Sequence, residues 1–155
     1  MNLNKTQKNQ YFRSSTGPWW TPLALAGASL AVNLMIWIIA RLFGPPSFAE
    51  FEPLAGPGSV ILLTILGAFG AYFVYWFITL TTSRPNKAFV VVSLITLILS
   101  LIPDIEYPNT SPGYSLEAIV ILMVFHFSSA IIDVGLLLYL VRKHKKKLGI
   151  NPGIL

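Results

Sequence analysis

The stretch LEAIVILMVFHFSSAIIDVGLLLYLV, residues 116–141, decides the fold. It holds no lysine, arginine or proline, and as a helix rising about 1.5 Å per residue it is long enough to cross a hydrocarbon layer of about 30 Å. Three further apolar runs accompany it, at 23–43, 59–80 and 88–102. A soluble domain of 155 residues would interrupt such runs with charges, yet only 11% of this chain is charged and its mean hydropathy is +0.67. That leaves too little polar surface to cover the molecule in water, so lipid is its solvent. The expected fold is all-α, a polytopic membrane protein built as a four-transmembrane-helix antiparallel bundle. A cytoplasmic N-terminal segment (1–18), a transmembrane domain (19–142) and a basic cytoplasmic tail (143–155) complete the expected organisation. Connections this short leave no room for a second folded domain.

The net charge of +5 is distributed unevenly. Ten of the eleven basic residues, Lys5, Lys8, Arg13, Arg84, Lys87, Arg142, Lys143, Lys145, Lys146 and Lys147, fall on one side of an even-spanning chain. Arg41 is the exception, and it shares the other side with Glu50, Glu52, Asp104, Glu106 and Glu117. Lysine and arginine in short loops are retained in the cytoplasm, so both termini are expected there, with the chain in the plasma (inner) membrane of a prokaryote. Topology and attraction to anionic headgroups account for the run 142–147, and no nucleic-acid partner is expected. The first apolar run is longer than a signal-peptide core and lacks a small-residue cleavage pattern, so it reads as a retained span, with Trp19 and Trp20 at its headgroup boundary.

Breaker residues set the expected connections. Gly44, Pro45 and Pro46 end the first helix, and Ser59 opens the second. The turn 83–87 joins the second and third helices closely, and Pro108, Asn109, Pro112 and Gly113 mark a turn-rich loop before Ser115, a good N-cap with Glu117 behind it. The third run, at about 22 Å of helix, is short for a bilayer. Either the bilayer thins there, or Pro103 and Asp104 begin non-helical backbone below the surface, with Arg41 as the expected ion-pair partner of Asp104.

Ionisable and polar residues inside the spans are the candidates for chemistry. His126 and Asp133 lie seven positions apart, hence on one helix face about 10 Å apart in height, with Ser129 between them. Asn33, and Ser93, Thr96 and Ser100 at helical spacing, supply matching polar positions on the first and third spans. Gly67, Gly70 and Ala71 are expected to let another helix approach closely. Such a seam serves either as a proton path, solute path or binding site, or as an interhelical hydrogen-bond network that fixes register, which is the routine use in membrane proteins. No catalytic constellation, metal set or cofactor is expected. Cysteine is absent from the sequence, and His126 has no second axial ligand within the spans.

The segment 67–71, Arg84-Pro85 leading into Phe89, the helix end Leu99-Ser100-Leu101-Ile102-Pro103-Asp104, and Leu122-Met123-Val124-Phe125-His126 together resemble a family of small bacterial membrane proteins, the domain of unknown function numbered six thousand sixty-nine. The resemblance covers roughly 23–142. It implies the fold and the membrane location, draws attention to Ser100, Pro103 and His126, and transfers no activity, substrate or cofactor. The leading functional expectation is an interaction or assembly subunit, partnered by lipids and by a second copy or another membrane subunit. The alternative is a small oligomeric transporter or proton-conducting module. Topology is tested by reporter fusions at residue 50 and at the C-terminus: an externally active reporter is expected to work at the first site only, and activity at the tail would reverse the assignment.

Overall fold

The computed structural model describes residues 16–106 and 112–149. Lys5, Lys8, Arg13, Pro108, Asn109 and residues 150–155 of the tail lie outside the described residues. The elements are α1 (Thr21–Phe43), a 3₁₀ turn (Pro46–Ala49), the single-turn α2 (Glu52–Ala55), α3 (Pro57–Thr81), α4 (Pro85–Glu106) and α5 (Leu116–Lys147), with no strand among the described residues. Four of these helices, α1, α3, α4 and α5, are long and apolar enough to cross a membrane.

Proline places most of the boundaries. Pro22, Pro53, Pro57 and Pro85 sit in first turns, where a missing amide costs nothing because that amide has no helical partner. This moves the opening of the second span from the expected Ser59 to Pro57, and that of the third to Pro85. Helix α1 stops at Gly44, which turns extended ahead of two prolines. Ser115 caps α5 by accepting from the Ala118 amide at 3.2 Å. Of the two alternatives for the third span, the break at Pro103 does not occur: Pro103 lies inside α4, which continues to Glu106. At 22 residues α4 is about 33 Å long, so the short apolar run is extended by polar turns at both ends.

Helix α1 packs chiefly on α3 and α5, whereas α4 rests mainly on α5 and less on α3. Two apolar clusters hold the ends. One joins Leu25 and Ala26 of α1, Ala68, Tyr75 and Ile78 of α3, Phe89 of α4, and Leu137 and Val141 of α5. The other joins Ala40 at the end of α1, Phe48, Phe51 and Leu54 of the connection, Val60 at the start of α3, and Ala118, Ile119 and Phe125 of α5. Between them the buried positions turn polar, with Ser29, Asn33, Thr64 and Asp133 inside. Leu42, Phe73, Leu94, Ile98 and Ile131 face outward. An interior more polar than the exterior is what lipid as solvent demands.

The connection 44–56 folds down as a plug. Phe48, Phe51 and Leu54 are buried, and the Trp37 indole donates to the Leu54 carbonyl at 3.0 Å. The strand of chain entering α5 crosses this plug at Gly113, whose φ of +70° falls in the region that favours glycine. A Cβ there would lie 2.3 Å from the Ser47 carbonyl oxygen and 2.5 Å from the Phe51 amide. Gly113→Ala therefore carries both backbone strain and a backbone clash, and is expected to lower stability by about 1–3 kcal/mol. Thermal unfolding in detergent checks this against Gly58→Ala, a helical position whose Cβ would meet nothing within 4 Å and which is expected to be neutral or slightly stabilising. Equal melting temperatures for the two variants would show that the plug is not held at Gly113.

Candidate functional site

At mid-bundle, α1, α3 and α5 are tied by side-chain hydrogen bonds. The Asn33 amide donates to Thr64 Oγ1 at 2.9 Å and to Ser129 Oγ at 2.8 Å, and its carbonyl accepts from Ser128 Oγ at 2.7 Å. One turn away, Ser29 Oγ donates to Asp133 Oδ1 at 2.6 Å. The partners run in opposite order along the two helices, Ser29 with Asp133 and Asn33 with Ser129, so two i, i+4 pairs of matched spacing face each other. Interhelical bonds of this kind contribute about 0.6 kcal/mol each on average. Leaving a buried partner unsatisfied costs more, about 1–3 kcal/mol.

Beside this network lies a cavity of about 520 Å³, walled by α3, α4 and α5 with Asn33 of α1 at its back. Its α3 wall is Val60, Leu63, Gly67, Gly70, Ala71 and Val74; Ser93, Thr96 and Ser100 come from α4; His126, Ser129 and Asp133 come from α5. The lining is mostly apolar, and its polar groups gather on the α4 and α5 sides. Toward the basic end the floor is closed by Tyr75 and Phe89, stacked edge to face with ring centroids 5.1 Å apart, and by the Tyr75 hydroxyl donating to Asn86 Oδ1 at 2.9 Å.

Helix α4 is clasped at its two ends. Among its described residues only Pro85 and Phe89, toward the floor, and Asp104, at the acidic end, are buried. Asp104 meets α5 through His126, whose Nδ1 lies 3.1 Å from Asp104 Oδ2. The same nitrogen lies 3.0 Å from the Leu122 carbonyl oxygen and aims its proton there, so the carboxylate sits beside the ring N–H in electrostatic contact rather than in line with it, and its Oδ2 has no aligned donor. Both neighbours of Nδ1 are acceptors, which assigns the ring proton to that atom. In the neutral ring, Nε2 is then left with its lone pair.

Asn33, Ser129 and Asp133 thus enter one hydrogen-bonded network, while Ser93, Thr96, Ser100 and His126 join it only by sharing the cavity. Ser100 donates to the Leu97 carbonyl in its own helix at 2.8 Å. One expectation is corrected. Arg41 is exposed at the end of α1 and forms no ion pair with Asp104, because α1 packs against α3 and α5 rather than α4. Gly67 and Gly70 face the cavity, where a Cβ at either would meet nothing within 4 Å, so any helix that approaches them comes from outside the described residues of this chain. Ala71 alone of the three packs against the core, at the cavity margin. Sequence reasoning missed Ser29 and Ser128 as partners of Asp133 and Asn33. The equal spacing of Ser29–Asn33 and Ser129–Asp133 was the signal that could have found the first.

No curated protein and no solved structure matches the chain. The model of a family of unknown function, DUF6069, matches residues 14–143, which is most of the sequence, and with its four apolar helices the chain is a membrane protein that belongs to this family.

Proposed function

We propose that this protein is a binding module of the prokaryotic plasma membrane, with both termini in the cytoplasm, that holds a small amphiphilic molecule between α3, α4 and α5. The cavity carries this reading. The cleft is half open to the outside of the bundle, with Gly67, Gly70, Val74 and Thr96 exposed along it, and at 520 Å³ beside the polar network it has the size of a ligand site. Its size, and an apolar wall opposed by a few convergent polar groups, suit a molecule with a hydrocarbon part and a hydrogen-bonding head. The floor made by Tyr75, Phe89 and the apolar cluster around Leu137 favours holding over passage, which sets the transport reading behind the binding one. The orientation rests on the basic residues, Arg84, Lys87 and 142–147 among them.

Assembly is the second reading, favoured by one observation: the empty space outside Gly67 and Gly70 could receive a helix of a second copy in place of a ligand. Because the chain has no native cysteine, Gly67→Cys supplies a single reporting thiol. The proposal expects little disulfide-linked dimer in membranes, and native mass spectrometry of the wild type is expected to show a retained small amphiphile. Gly67→Trp, which fills the cavity without moving backbone, is expected to keep the melting temperature within a few degrees and to lose that adduct. An unchanged adduct in the tryptophan variant would remove the cavity from the binding reading, and efficient Gly67→Cys cross-linking would replace that reading with assembly.

A further inference from the structure

We infer that the head group this cavity selects is a cationic amine, so that the ligand class is lipophilic amines; the inference rests on the cavity-binding reading and narrows it. Asp133 is the only carboxylate among the lining residues, and no lysine or arginine lines the space with it. The Asp133 side chain is buried, and the one hydrogen bond it receives, from Ser29, goes to Oδ1. No described cation forms an ion pair with it; the sole such contact among the described residues joins His126 to Asp104. A buried carboxylate without a counter-charge is costly, and an ammonium group entering the cavity supplies that charge together with its N–H donors.

The other fixed group agrees with this. His126 is engaged elsewhere: its Nδ1 faces the Leu122 carbonyl and the Asp104 carboxylate, so it supplies Asp133 with no counter-charge. Asn33, the one side-chain amide in the lining, has its amide donors placed on Thr64 and Ser129 and its carbonyl occupied by Ser128, and it has no donor left for an anionic head. What remains are the hydroxyls of Ser93 and Thr96 and the hydroxyl protons of Thr64 and Ser129, which rotate as the ligand requires. The groups whose roles are fixed therefore repel a carboxylate or phosphate head and attract an ammonium. Opposite them, Leu63, Gly67, Gly70 and Val74 leave room for an alkyl or aryl body.

Decylamine, decanol and decanoate share a chain and differ in the head, and their affinities for the purified full chain can be titrated by native mass spectrometry in one detergent. The expected order is amine, then alcohol, then acid, with at least about a tenfold gap between amine and acid. Asp133→Asn, which keeps an oxygen for Ser29 to donate to, is expected to weaken decylamine by at least about tenfold and to leave decanol within about twofold. The wild-type comparison does not depend on that variant folding. Equal affinities for the three heads, or preference for the acid, would overturn the amine assignment while leaving a binding cavity; failure of all three to bind would overturn the cavity reading itself.

Discussion

The amide of Asn33 is the joint on which the bundle depends. In water, an asparagine on a helix is an indifferent residue; in hydrocarbon its two donors and its carbonyl must all be answered by protein. Thr64 of α3 and Ser128 and Ser129 of α5 answer them, which fixes the rotation and height of three helices at once. The hydrophobic effect cannot do this, because lipid tails are as apolar as the side chains they would replace. Ser29 and Asp133 repeat the arrangement a turn away, so α1 and α5 are held in one register by two rungs.

Helix α4 stands outside this joint, and the cavity exists because of it. Its described buried residues lie near its two ends, Phe89 against Tyr75 and Asp104 against His126, while Ser93 and Thr96 in its middle face open space across from Gly67 and Gly70. A helix fastened at the ends and unfilled in the middle leaves a void that a continuously packed bundle would close. The glycines of α3 widen it further, since side chains at those positions would project into it.

Much of this was legible in the sequence, for physical reasons that also explain what was not. The four spans were readable because an uninterrupted apolar run of sufficient length has few other uses, and Asn33, His126, Ser129 and Asp133 stood out because polar groups in such runs need partners. Which helix supplies the partner is a three-dimensional matter. Arg41 and Asp104 lie on the same acidic side in sequence, yet their helices do not adjoin, and the carboxylate turns to His126 instead. A start of non-helical backbone at Pro103 was one of two ways to complete a short third span, whereas here α4 runs through it for one further turn. The small residues of α3 signalled a close approach, but the same absence of side chains can equally preserve a space.

The rungs between α1 and α5 also join the first span made to the last. Ser29 and Asp133 are 104 positions apart, so at ribosomal speeds of about 5–20 residues per second, α1 waits roughly 5–20 s in the bilayer before its partner is synthesised. Throughout that interval Thr64 of α3 can answer one donor of Asn33, while its second donor, its carbonyl and the hydroxyl of Ser29 wait for α5. A chain truncated before α5 leaves those groups as a polar stripe in the hydrocarbon. The stripe disappears only when the bundle is complete, so the side chains that set the register of the mature protein are also the last of α1 to find their partners.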